Sequence, residues 1–131
     1  MNGVDTNVVL RYLVQDDPAQ TNAVAKIIMA AAARREPLFI SVPVLCEVAW
    51  VLNTTYKQSR ESSAETIQLL LDSAAFDIER EQQVAESLRR YRNGRADFAD
   101  YLIGILARER GCKLTYTFDR RLRDAREFKV L

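Results

Sequence analysis

The stretch LFISVPVLCEVAWVL, residues 38–52, changes its hydrophobic period in mid-course. Leu38-Phe39-Ile40 is an unbroken apolar triplet, as a short buried strand requires. Ser41-Val42-Pro43 then opens a helix, with a capping hydroxyl followed by a proline in the first turn, where its missing N–H leaves nothing unpaired. Leu45, Val48, Ala49 and Leu52 recur at helical spacing and make one apolar face. A strand running straight into a helix is the repeating unit of a parallel sheet. Trp50 at this spacing reads as core, although Trp50-Val51-Leu52 also offers an apolar stretch to a twin subunit or another protein.

The same alternation continues on both sides. Met1–Val4 is expected to be a short buried strand and Val8–Leu13 a helix. Asp17-Pro18 is an N-cap followed by a first-turn proline, opening a helix that carries Val24, Ile27 and Ile28. Ser62-x-x-Glu65 has the form of a capping box, with Ser59 an alternative cap one turn earlier. Phe76–Ile78 reads as a strand. Glu81–Arg92 reads as a polar helix with Val84, Ala85 and Leu88 inward, ended by Gly94. Asp97–Arg110 is the strongest helix, with Phe98, Leu102, Ile105 and Leu106 as its stripe and Gly111 as its C-cap. Leu114–Thr117 and Phe128–Leu131 complete the strands. The expected fold is α/β: one domain over residues 1–131, with a mostly parallel sheet of four to five short strands and helices on both faces.

Composition narrows the chemistry. The 131 residues contain no histidine and two cysteines, Cys46 and Cys112, 66 positions apart. Zinc fingers, histidine metal triads and Ser-His-Asp or Cys-His catalysis are thereby excluded. No apolar run reaches the roughly 20 residues of a membrane span, no leader pattern is expected at the N-terminus, and the cysteines fit a reducing cytoplasm. Charge is uneven: residues 1–79 hold 6 basic and 10 acidic side chains, and residues 80–131 hold 13 and 8. Fifteen of the 19 cations are Arg, the better partner for phosphate oxygens, although a solvated surface explains the composition as well.

Chemistry without histidine rests on the acids. In a parallel sheet, functional groups lie beyond the C-terminal strand ends. Asp5 follows the first strand, Glu47 sits one turn into the helix after Leu38–Ile40, Asp97 and Asp100 share a helix face, and Asp119 follows Leu114–Thr117. Each also has a local reading: Asp5 and Asp97 as helix caps, Asp100 as a partner of the helix dipole, Glu47 as a surface or salt-bridged side chain, Asp119 as a turn residue. Five carboxylates brought together would repel one another unless a hard cation joined them. Mg²⁺ or Mn²⁺ needs only oxygen ligands. One such ion, or two about 4 Å apart, would activate water and neutralise a phosphodiester under attack.

The motifs, taken in order, resemble the PIN-domain family. Val4-Asp5-Thr6-Asn7-Val8 with Leu10-Arg11-Tyr12-Leu13 is similar to the opening of that family. Val44-Leu45-Cys46-Glu47-Val48 is similar to its second acidic position, Ala96-Asp97-Phe98-Ala99-Asp100-Tyr101-Leu102-Ile103 to its third, and Leu114-Thr115-Tyr116-Thr117-Phe118-Asp119 to its fourth. Within it, the compact form resembles VapC-type toxins of toxin–antitoxin pairs. That resemblance implies a three-layer α/β/α sandwich, a Mg²⁺- or Mn²⁺-dependent endoribonuclease, a homodimer, and inhibition by a small antitoxin protein. It implies metal ligation by Asp5 and Asp100, with Asp97, Glu47 and Asp119 assisting. Asn7 and Thr117 match supporting polar positions, with a local backbone hydrogen bond as the alternative. Arg120, Arg121 and Arg123 lie just after the fourth acid and are candidates for RNA phosphates, for acidic antitoxin groups or for plain solvation. Gly104 stands where relatives carry a larger residue, for close packing or incidentally.

Other classes fit less well. An aspartyl phosphatase wants a second acid two residues after the first, where this chain has Asn7. A phospho-receiver wants a lysine after a late strand, and none is found. A non-catalytic module that binds RNA or protein remains the main alternative, and metal dependence separates it from a nuclease.

Overall fold

The computed structural model describes Met1–Leu131 and divides into two compact units, Met1–Arg80 and Glu81–Leu131. The first runs α1 (Thr6–Leu13), α2 (Pro18–Arg34), β1 (Leu38–Ile40), α3 (Val42–Thr54), α4 (Arg60–Asp72) and β2 (Phe76–Ile78). Strands β1 and β2 pair in parallel, Leu38 opposite Phe76 and Ile40 opposite Ile78. A parallel pair needs a crossover, and α3 and α4 supply it. Local chemistry sets the helix starts. The Asp17 carboxylate accepts the Gln20 N–H at 3.1 Å, and Ser59 Oγ accepts the Ser62 N–H at 3.1 Å, so Ser59 and not Ser62 caps α4. The core of this unit holds Ile40, Leu45, Val48, Leu52, Ile67 and Leu70, all without solvent exposure, and Tyr12 stands edge-on to Phe76 with ring centres 5.0 Å apart.

Two expectations for this unit change. Met1–Val4 is not a full strand: Gly3 makes a single parallel bridge to Phe39, with Val4 N–H to Phe39 O at 3.0 Å and Phe39 N–H to Asn2 O at 2.9 Å. Asp5 caps α1 immediately afterwards, so the chain turns into a helix before a second ladder rung can form. Trp50 is 63% exposed and not core. It follows Ala49 by one residue, a step of about 100° around the helix, which carries it off the buried stripe. Three non-glycine residues take left-handed backbone conformations: Arg35, the C-cap of α2, at φ 55°, and Lys57 and Arg80, each at φ 56°.

The second unit runs α5 (Glu81–Asn93), α6 (Phe98–Glu109), β3 (Thr115–Thr117), a 3-10 turn (Arg120–Leu122) and β4 (Phe128–Val130), with α5 packed against α6. Strands β3 and β4 pair in parallel, Thr115 opposite Phe128 and Thr117 opposite Val130. The fold is thus mixed α/β with parallel strand pairs. Each unit holds one parallel pair, so the four three-residue strands form two sheets of two, and Met1–Val4 contributes a single bridge. Two helix faces are rotated from expectation. In α5, Ser87 and Tyr91 are buried beside Val84 and Leu88 while Ala85 is exposed. In α6, Tyr101 and Gly104 join Phe98 and Leu102, and Ile105 and Leu106 are half-buried.

Gly104 has a steric reason. A Cβ there would lie 2.5 Å from Phe128 Cε2 and 2.8 Å from Glu127 Cγ, so the bare backbone lets α6 approach β4. Gly111 ends α6 with φ 97°, as expected of a C-cap. Glu127 is fully buried, with its Oε1 on Arg90 Nη1 and its Oε2 without a partner. No helix is long and apolar enough to cross a membrane, and both cysteines are free thiols; burial raises the Cys46 pKa.

Candidate active-site carboxylates

In the first unit, Asp5 stands at the N-cap of α1, where its Oδ1 accepts the Val8 N–H at 3.1 Å. Glu47 projects from the second turn of α3 and is exposed. Its Oε1 accepts the Thr6 hydroxyl at 3.1 Å. The residue next to Asp5 in sequence therefore ties Glu47 to the same helix start, across 41 positions. Asn7 is exposed.

In the second unit, three carboxylates meet one guanidinium. Arg121 lies in the turn after β3 and places Nη2 2.7 Å from Asp119 Oδ2, Nη2 3.7 Å from Asp100 Oδ2 and Nη1 3.4 Å from Asp97 Oδ1. Its Nε adds bonds of 3.0 and 3.1 Å to the two oxygens of Asp119. The turn makes this possible. Asp119 Oδ1 accepts the Arg121 N–H at 2.9 Å, and Thr117 Oγ1 accepts the Asp119 N–H at 3.0 Å, so the chain folds back where β3 ends. Thr117 thus takes the local role of its two readings. Asp97 occupies the N-cap position of α6, and Asp100, at the third helical position, accepts the Asp97 N–H at 3.0 Å. Asp97 and Asp100 accordingly do share a face.

The electrostatics differ among the three. Burial raises the Asp100 pKa, the Asp97 N–H works against that, and the charges of Asp97 and Asp119 add to it. The Arg121 hydrogen bond holds Asp119 below the usual carboxylate range. Arg121 is held charged, chiefly by its bonds to Asp119.

The structure gathers no group of three or more His, Cys, Asp or Glu side chains in a ready metal-binding arrangement. The donor chemistry still suits a hard divalent ion, since the candidates are carboxylates throughout, and Arg121 stands among three of them as their cation. Of the expected residues, Asp97, Asp100, Asp119 and Arg121 are brought together, and Glu47 meets the start of α1. Arg120 and Arg123 are exposed and carry no bond to these acids. Sequence reasoning missed Thr6 as the partner of Glu47; its place beside Asp5 at a helix start was the only available sign. It also offered Arg121 to RNA phosphates, to acidic antitoxin groups or to solvent, where the structure sets it on the chain's own acids.

A family model described as "PIN domain" matches residues 4–127, which covers nearly the whole chain and reaches into both units. Among curated proteins, the chain is similar to a VapC ribonuclease of Aquifex aeolicus (strain VF5). The two are 25% identical over 123 residues, which is 94% of this chain and 90% of the relative.

Proposed function

We propose, since this chain belongs to the PIN-domain family, that it is a metal-dependent endoribonuclease that hydrolyses RNA phosphodiester bonds as the toxin of a VapBC-type pair. The VapC ribonuclease it resembles supports the reaction class. The observation that carries the reading is the convergence of Asp97, Asp100 and Asp119 on one positive charge, because such a trio is costly without a cation. Asp5, Asp100, Asp97, Asp119 and Glu47 would hold Mg²⁺ or Mn²⁺. When bound, that ion supplies positive charge to the phosphodiester and makes water more acidic. The chain's own groups do the rest. Thr6 orients Glu47, Arg121 offers its fork to phosphate oxygens, and Arg120 and Arg123 add positive charge beside it. Asn7 and Thr117 support Asp5 and the turn that presents Asp119. The same family reading carries one central sheet flanked by helices, a homodimer and a small antitoxin partner, and the two free cysteines suit a reducing cytoplasm. The exposed Trp50 is a suitable contact for one of those partners.

Cleavage of an RNA panel by purified protein, with Mn²⁺ or Mg²⁺ and with EDTA, tests this directly. Cutting is expected only with metal, and Asp5→Asn and Asp100→Asn are expected to abolish it while far-UV circular dichroism is unchanged. Normal cutting by either variant overturns the assignment. One observation favours a second reading, a module that binds RNA or protein without cutting: Asp5, Asp100 and Asp119 each accept a backbone N–H and so brace local structure. RNA binding indifferent to EDTA, with no cleavage under any metal, selects that reading.

A further inference from the structure

Beside the second-unit carboxylates lies an open groove of about 510 Å³, formed entirely by residues 89–126. Five guanidinium groups line it, those of Arg89, Arg90, Arg95, Arg121 and Arg126, against one carboxylate, Asp124. Such a run of one sign in a concave surface focuses the potential of its charges.

The floor of the groove is built and not merely open. Tyr101 is buried, and its hydroxyl accepts the N–H groups of Arg95 at 3.2 Å and Ala96 at 3.3 Å. Gly94 lets this happen: a Cβ at that position would overlap the Tyr101 hydroxyl and lie 2.9 Å from the Arg90 carbonyl. The segment carrying Arg95 is therefore fixed from below by an aromatic anchor. Arg90 is fixed from within, by Glu127 and by Glu86 at 3.2 Å. Arg89, Arg95 and Arg126 are exposed, and Arg89 pairs with Glu86 at 3.1 Å. Arg121 belongs to both features, as a wall of the groove and as the cation on Asp97, Asp100 and Asp119.

We infer that this groove is a phosphate track for an RNA strand, with Arg95 and Arg126 as its principal contacts and Arg121 as the joint that delivers the strand to the carboxylates. The inference deepens the nuclease reading and rests on it for the identity of the polyanion. Arginine forks match phosphate oxygens in pairs, and guanidinium planes also accept stacked bases. Continuity with the carboxylates favours an RNA backbone over an acidic peptide, because a phosphodiester is what those acids are proposed to attack. The track also separates the arginines that follow Asp119: Arg121 lines the groove, and Arg120 and Arg123 do not.

The test is binding of a fluorescein-labelled short RNA to the full chain carrying Asp100→Asn, in EDTA, so that cleavage cannot intervene. Arg95→Gln with Arg126→Gln is expected to weaken binding about tenfold or more. The slope of log affinity against log salt should flatten by about 0.7 for each phosphate that the removed arginines had neutralised. Lys26→Gln with Lys129→Gln removes the same charge at exposed positions outside the groove and is expected to leave affinity within about twofold. Thermal melting of each variant confirms the fold. Equal weakening in the two double variants, or none in either, overturns the track. So does binding of poly-L-glutamate as tight as that of RNA and equally sensitive to Arg95 and Arg126, which would assign the groove to an acidic protein. Groove-sensitive RNA binding by a chain whose wild type never cuts upholds the track and overturns the nuclease reading alone.

Discussion

Arg121 bonds Asp119 through three of its own nitrogens, the backbone N–H, Nε and Nη2, at 2.9, 3.0 and 2.7 Å. A side chain so held neutralises its neighbours but also competes with any other cation for them. Arg121→Gln should therefore tighten Mn²⁺ binding about tenfold, or roughly 1.4 kcal/mol, in isothermal titration. The same change should weaken RNA binding in EDTA. Unchanged or weaker metal binding would show that Arg121 does not contend for those oxygens.

Two of the carboxylates around Arg121, Asp100 and Asp119, should shift stability in opposite directions with pH. The folded pKa of Asp100 is raised, so the native state binds its proton more tightly than the unfolded chain does. Its contribution is fullest below the ordinary carboxylate range and is lost as pH rises through the raised value. Asp119 is the reverse: its contribution is present above the ordinary range and is lost as pH falls through the lowered value. In EDTA, Asp100→Asn should melt above wild type at neutral pH and lose that advantage in acid. Asp119→Asn should melt below wild type at neutral pH and converge with it in acid. Melting curves across a pH series read both signs.

Glu127 is buried against Arg90, whose pKa is raised by Glu127 and Glu86 in spite of the burial that opposes it. Removing one partner leaves the other charge uncompensated. Glu127→Ala should cost about 3–5 kcal/mol in urea unfolding. A cost of less than about 1 kcal/mol would mean that solvent reaches Arg90 readily.

Gly104 marks the closest approach of α6 to β4. Gly104→Ala improves helix propensity yet pushes a methyl against Phe128 and the Glu127 stem. Overpacking should win, with a net destabilisation of about 1–3 kcal/mol. A more stable variant would mean that Phe128 swings aside freely.

Thr6 acts on the proposed reaction only through Glu47. Thr6→Val keeps the shape of the side chain and deletes the hydroxyl donor. Cleavage should fall about threefold to tenfold, the worth of one ordinary hydrogen bond, with melting temperature little changed. Full activity would remove Thr6 from the site.

Legibility in sequence followed the range of the interactions. Asp17-Pro18 and Gly111 act within one helical turn, and each helix end they mark lies where the residue type places it, whereas Ser59 and Ser62 both suit the start of α4 and the structure selects Ser59. Spacing alone put Asp97 and Asp100 on one face. The pairing of Thr6 with Glu47 spans 41 positions and left no periodic trace. Arg121 turns back onto Asp119 because Thr117 closes the turn, a conformational detail that residue type does not encode. Trp50 escaped the reading for a simpler reason: α3 is apolar on both sides of it, from Val48 to Leu52, so its spacing does not distinguish the buried stripe from its flank.

The left-handed backbone of Arg35, Lys57 and Arg80 has a practical consequence for protein engineering. An L-residue in that conformation gives up roughly 1 kcal/mol that glycine keeps, and asparagine keeps part of it. None of the three lines the arginine groove. Arg35→Gly, Lys57→Gly and Arg80→Asn thus form a small set of stabilising replacements, on which destabilising active-site variants can be carried while the chain stays folded.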